Sequence, residues 1–134
     1  MERVLRINNE ATERLLSEAL PLLTASAREL VNTVRVNATN HQRGRANWRA
    51  RLVRVPAWVF KDRVNFCGKG WIDGGPTFAA YYLAHELAHI KAASDTHGPH
   101  FMAAFKELCP FDLQGYESIY KPKSAAAAGI VPNT

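Results

Sequence analysis

The chain has 134 residues, 47 % of them hydrophobic and 22 % charged, the composition of one water-facing folded domain with a core of its own. No run of about 18 apolar residues occurs, which excludes a membrane-spanning helix, and the charged start MERVLRINNEATERLL has no apolar leader core, an expectation of the cytoplasm. The formal charge is +5 and the pI near 9.5, concentrated between residues 35 and 63, where Arg35, Arg43, Arg45, Arg49, Arg51, Arg54, Lys61 and Arg63 face a single acid, Asp62, an asymmetry that points to a polyanionic partner.

In chain order, residues 9–31 predict a helix, because Leu15, Leu16, Ala19, Leu20, Leu23, Ala27, Leu30 and Val31 recur near a helical period. Pro21 either kinks it or opens a second helix. TVRVN (33–37) alternates valine with arginine, a strand pattern, and the polar ATNHQRGRAN (38–47) predicts a loop. WRARLVRV (48–55) alternates again, which predicts a half-exposed strand with Trp48 in the core and Pro56 at its end. VNF and WID flank CGKG, so 64–73 predicts a hairpin, followed by a GGP turn at 74–76. Helices are expected from Thr77 to Ala93 and from Pro99 to Leu108. Tyr116 and Tyr120 follow, then the low-complexity tail KPKSAAAAGIVPNT, expected to be poorly ordered. Cys67 and Cys109 stand far apart without ligand spacing and are expected as free thiols in a reducing compartment.

The chemistry concentrates in YYLAHELAHIKAASDTHGPHF, residues 81–101. His85 and His89 lie one helical turn apart, so both imidazoles share one face. Leu83, Leu87 and Ile90 fall opposite, whereas Phe78, Tyr81 and Tyr82 fall nearby. One apolar stripe is thus expected in the core, with the histidines facing a cleft edged by aromatics. The spacing His-Glu-x-x-His suits zinc, because two imidazoles at this separation can reach one ion, and Glu86, about 100° further round, stays free to serve as base to a metal-bound water. A catalytic zinc needs a third protein ligand. The residues available are His97, His100 and Asp95. His97 is favoured, since the turn SDTHGP folds the chain back and Pro99 suits the first position of the next helix. Phe101, Met102, Phe105 and Leu108 form a packing stripe on that helix.

HELAH followed by HGPHF resembles the SprT-like zinc metalloproteases, whose pattern is HExxH, a variable linker and HGxxF at the start of a helix. The resemblance implies one Zn²⁺ per chain held by His85, His89 and His97, with Glu86 as the catalytic acid/base; His100 falls on a variable position. It implies a single zincin-like α+β domain over residues 1–120: an N-terminal helix, a small mainly antiparallel sheet with a hairpin, the HExxH helix and a second helix, with a flexible tail at 121–134. The close match spans residues 77–108, and the first half agrees in order of elements only. Members of the family are implicated in cleaving proteins bound or crosslinked to DNA, which implies a protein or peptide substrate and contact with DNA, single-stranded above all. Many members carry a cysteine zinc ribbon that these 134 residues lack. Arginines bind phosphates and aromatics stack on unpaired bases, so the residues expected to meet DNA are Arg43, Arg45, Arg49 and Arg51.

Two other functions fit the same residues. One is a non-catalytic nucleic-acid-binding module whose zinc is closed by a fourth ligand; the other is a metal hydrolase of a non-protein amide such as a peptidoglycan bridge. Tyr81, Tyr82, Tyr116 and Tyr120 are within the range of residues that stabilise an oxyanion, but none is singled out by spacing.

Overall fold

A computed structural model describes residues 6–65 and 71–110. The hairpin tip with Cys67, the tyrosines Tyr116 and Tyr120, and the tail lie outside the described residues.

Helix α1 (Asn9–Arg14) begins at Asn8, whose side chain accepts the Ala11 N–H at 2.9 Å. It widens into a π-helical turn over Leu15–Ala19 and tightens into a 3-10 turn over Leu20–Leu22 that contains Pro21. Ala11, Leu15, Ala19, Leu23 and Ala27 are all buried. A strict four-residue repeat drifts by about 40° per step around an α-helix, and the wider π turn takes up part of that drift. Pro21 therefore does not open the second helix. Helix α2 (Ala25–Val31) starts later, where Thr24 accepts the Ala27 N–H. Leu16, expected inward, is exposed.

Strands β1 (Arg35–Thr39), β2 (Arg45–Asn47) and β3 (Leu52–Pro56) form one sheet in the order β1-β3-β2. The β1–β3 pair is parallel and β2–β3 antiparallel. Strands β4 (Arg63–Asn65) and β5 (Trp71–Asp73) form a separate antiparallel pair, as the hairpin pattern predicts. The mixed α and β character is thus as expected, but the central pair is parallel and the strands fall into two sheets. Two boundaries also move. The loop expected over 38–47 contains β2, and the strand expected from Trp48 begins only at Leu52. Asn47 accepts the Ala50 N–H at 3.0 Å and Arg51 adopts φ 55°, so Trp48–Arg51 is a turn despite its alternating letters. Trp48 is half-buried against the core rather than enclosed in it.

Helices α3 (Pro76–Ala92) and α4 (Pro99–Leu108) match their predicted spans within a residue. The burial of α3 does not match. Every residue from Phe78 to Ile90 is buried, so the helix has no cleft-facing stripe and forms the axis of the core. Helix α4, the π turn, β2, β3 and a 3-10 turn at Ala57–Phe60 surround it. Ala79, Ala80, Ala84 and Ala88 keep its girth small enough for neighbours on all sides.

Candidate metal centre

The end of α3 turns the chain so that the three imidazoles converge. Ala93 takes the left-handed conformation (φ 52°, ψ 50°) and Ser94 N–H returns to the His89 carbonyl at 3.2 Å, closing the helix and reversing the chain. That reversal brings the Ser94 carbonyl to His89 Nδ1 at 2.8 Å. A carbonyl only accepts, so Nδ1 carries the proton and Nε2 keeps its lone pair for a metal. The Ser94 hydroxyl then holds the Thr96 N–H at 3.1 Å and the Thr96 hydroxyl at 2.9 Å, which fixes the short turn leading into His97.

His85 Nε2 and His97 Nε2 face each other at 3.2 Å. One ligand nitrogen from each of His85, His89 and His97 lies within 4.8 Å of the others. Nitrogens bound to one tetrahedral zinc at bonds of about 2.0–2.1 Å stand about 3.3 Å apart, so the donor set and its spacing fit that ion. His85 and His89 are buried and His97 is exposed, which leaves the group open on the His97 side. Among the described residues no fourth His, Cys, Asp or Glu joins it; Asp95 and His100 are exposed and stand apart.

Phe101, the last residue of HGPHF and expected in the packing stripe of α4, also takes part in the site. Its spacing marks it as core, and it is 1 % exposed. Yet its ring lies 4.9, 4.6 and 4.8 Å from the rings of His85, His89 and His97. It forms an apolar wall that limits water and holds the imidazoles in place. On its other side it stacks on Phe105, whose ring meets Tyr81 edge-on at 5.5 Å.

Glu86 is 5 % exposed, and burial pushes its carboxyl up to about 8. A carboxylate removed from water without a compensating cation holds its proton, and a dication close by would favour the ionised form again.

The arginines do not gather around this centre. Arg43 is exposed before Gly44, and Arg45 is exposed at the start of β2, opposite Arg54 of β3. Arg49 lies over the Trp48 ring at 4.2 Å. Arg51 is bonded to the Thr33 carbonyl at 3.1 Å and to its hydroxyl at 2.6 Å, which ties the start of β1 to the turn. The strand register sets Arg35 and Arg54, counted in the basic excess but not among the expected DNA contacts, on one face with Arg45. Asn37, Arg54 and Arg45 share one row across the sheet, and Arg35, Leu52 and Asn47 the next. The face opposite buried Val36, Val53 and Val55 thus carries three arginines.

No family model, curated protein or solved structure matches the chain.

Proposed function

We propose that the chain is a zinc-dependent endopeptidase of the SprT-like kind. The observation that supports this is the convergence of three imidazole nitrogens, from His85, His89 and His97, with the buried Glu86 next to His85 in the chain. When bound there, a zinc ion would supply a water whose pKa is lowered to about 7 and a Lewis acid for a peptide carbonyl. His89 is held by Ser94 in the tautomer that presents Nε2. Glu86, buried next to His85 in the chain, would in its ionised form take a proton from that water and pass it to the leaving amine. Phe101 excludes solvent from one side of the reacting group. The exposed edge of His97 is the approach for a polypeptide.

The lack of a fourth ligand among the described residues favours this reading over a closed structural zinc. DNA-associated or DNA-crosslinked proteins are the proposed substrates. The arginine-bearing face of the sheet and the exposed Arg43, Arg45 and Arg49 support contact with single-stranded DNA. The test is metal analysis of the purified chain together with casein cleavage, with and without single-stranded DNA. Bound zinc and cleavage that a chelator abolishes are expected. A zinc-loaded chain that cleaves neither casein nor a DNA-bound protein would refute the peptidase.

A further inference from the structure

A groove of about 670 Å³ opens between the β4–β5 pair and the 40–42 loop, away from the imidazoles. Trp58, Trp71, Lys61 and Arg63 line it, with amides from Asn40, Gln42 and Asn65, and among the described residues no aspartate or glutamate does. Trp71 is 60 % exposed, and the Arg63 guanidinium lies 5.7 Å from its ring centre. Two flat apolar walls, two cations and three amides suit an extended chain that carries negative charge.

The groove is physically joined to α3. Trp58 packs against Phe78 at 6.1 Å and edge-on against Tyr82 at 6.0 Å, both on the helix that carries His85 and Glu86. Its indole N–H donates to the Gln42 carbonyl at 2.7 Å, and Gly44 N–H donates to the Tyr82 hydroxyl at 2.9 Å. The loop that walls the groove is therefore fastened at Gln42 and, just after it, through Gly44 to the helix that carries His85. Gly44 is needed for this: a Cβ there would run into the Tyr82 ring and stand 2.8 Å from the Arg54 carbonyl. Along α3, Tyr82 and Phe78 precede His85 by about 4.5 and 10 Å at 1.5 Å per residue. An extended peptide covers that distance in about two to four residues.

We infer that this groove is a substrate subsite for acidic side chains, placed two to four residues from the bond that is cut. The inference rests on the peptidase reading and adds a preference to it. Lys61 and Arg63 meet the carboxylates, Trp58 and Trp71 flank the chain, and the amides hold its backbone. The occupant is polypeptide rather than nucleic acid because Trp58 of the groove packs on the helix that carries His85 and Glu86, whereas the arginines of the sheet lie on another element.

The test uses the zinc-loaded full chain on a library of peptides derived from whole-cell protein, with cut sites read by mass spectrometry. Asp and Glu should be enriched two to four residues from the cut. In matched acidic and neutral peptides, the ratio of kcat/KM should fall by roughly tenfold in the double variant Lys61→Glu, Arg63→Glu, the worth of two surface charge pairs. Cleavage without acidic enrichment, or a double variant that keeps the ratio, overturns the inference and leaves the peptidase intact. A binding measurement separates the two ideas further. Zinc-loaded Glu86→Gln is titrated with an oligo-glutamate peptide and with oligo-thymidylate while tryptophan fluorescence is followed. The expected result is a signal from the peptide that Trp71→Phe and the double variant both diminish. If only the oligonucleotide gives that signal, or neither does, the inference fails. If the wild type cleaves nothing yet the peptide binds, the groove stands as a site for acidic chains and the peptidase falls.

Discussion

Helix α3 and the stretch from Arg43 to Arg51 are both dense in ionisable residues, yet one encloses them and the other leaves them in water. On α3, His85, Glu86 and His89 are 2, 5 and 8 % exposed. Of the arginines, Arg43, Arg45, Arg49 and Arg51 are all exposed. Burial makes protonation state and direction decisive, because an unmatched polar group inside is costly. Exposure leaves charge as a diffuse property, screened by salt. Substitutions should therefore act sharply and individually in the first region and weakly and collectively in the second.

The largest contrast is expected at Glu86. Glu86→Gln should keep zinc and lose about 10²–10⁴-fold in turnover, the usual worth of a positioned acid/base. His85→Ala should instead lose the zinc itself, read by metal analysis. Retained peptide cleavage in Glu86→Gln would remove the base from the mechanism. Next is Phe101→Ala, which should destabilise the fold by about 3–5 kcal/mol by opening a cavity, measured by urea denaturation. Because the same ring touches all three imidazoles, zinc affinity should fall by about 10–100-fold, as when outer-shell support is lost. A variant that loses stability but binds zinc as before would confine Phe101 to packing.

The third effect is one of pH in the metal-free protein. The Glu86 carboxyl is raised by burial from its model-peptide 4.5 to about 8. Between those values the folded chain keeps a proton that the unfolded chain has released. Stability from this group is therefore complete below about 4.5 and is lost as pH rises to about 8, by up to about 1.4 kcal/mol per unit. The difference between wild type and Glu86→Gln in urea midpoint isolates it from the histidines. A difference that does not vary over this range would contradict the assigned burial. Smaller still is Ala93→Gly. Its left-handed conformation disfavours a side chain, so glycine should add about 1 kcal/mol, seen as a higher Tm, with zinc binding unchanged.

The smallest effects belong to the arginines. Arg43→Ala and Arg49→Ala should change stability by less than about 0.5 kcal/mol. Arg51→Ala should cost about 1 kcal/mol, since it breaks bonds to Thr33. If DNA binds, removing Arg43, Arg45 or Arg49 should each lower the slope of log affinity against log salt by about 0.7 on single strands. An unchanged slope would detach these residues from DNA.

This contrast also governs what could be read from letters. Two histidines four apart on a helix must share a face, whatever the rest of the fold does. Pro99 and the SDTHGP turn placed α4 and brought His97 back, so the three imidazoles were legible. What helix geometry could not reveal was the depth of α3. Leu83, Leu87 and Ile90 promise one buried stripe, but alanines at 79, 80, 84 and 88 look neutral in a hydrophobic pattern and here mark close neighbours on the remaining sides. Strands fared worse, because their boundaries depend on partners. Arg45–Asn47 is too short and polar to stand out, and becomes β2 only through pairing with β3. Trp48–Arg51 alternates like a strand but is taken by an Asn47-centred turn. The row of Arg45 beside Arg54 exists only through register, which no local pattern specifies.

The enclosure of α3 ties occupancy to persistence. In most proteins a lost cation idles a catalyst whose scaffold stays sound. Here His85, His89 and Glu86 are themselves packing elements, so a cation that binds only the folded form would add RT ln(1 + [L]/Kd) to stability. Copies starved of zinc would open more often and be degraded sooner. The supply of that cation would then set how many molecules survive.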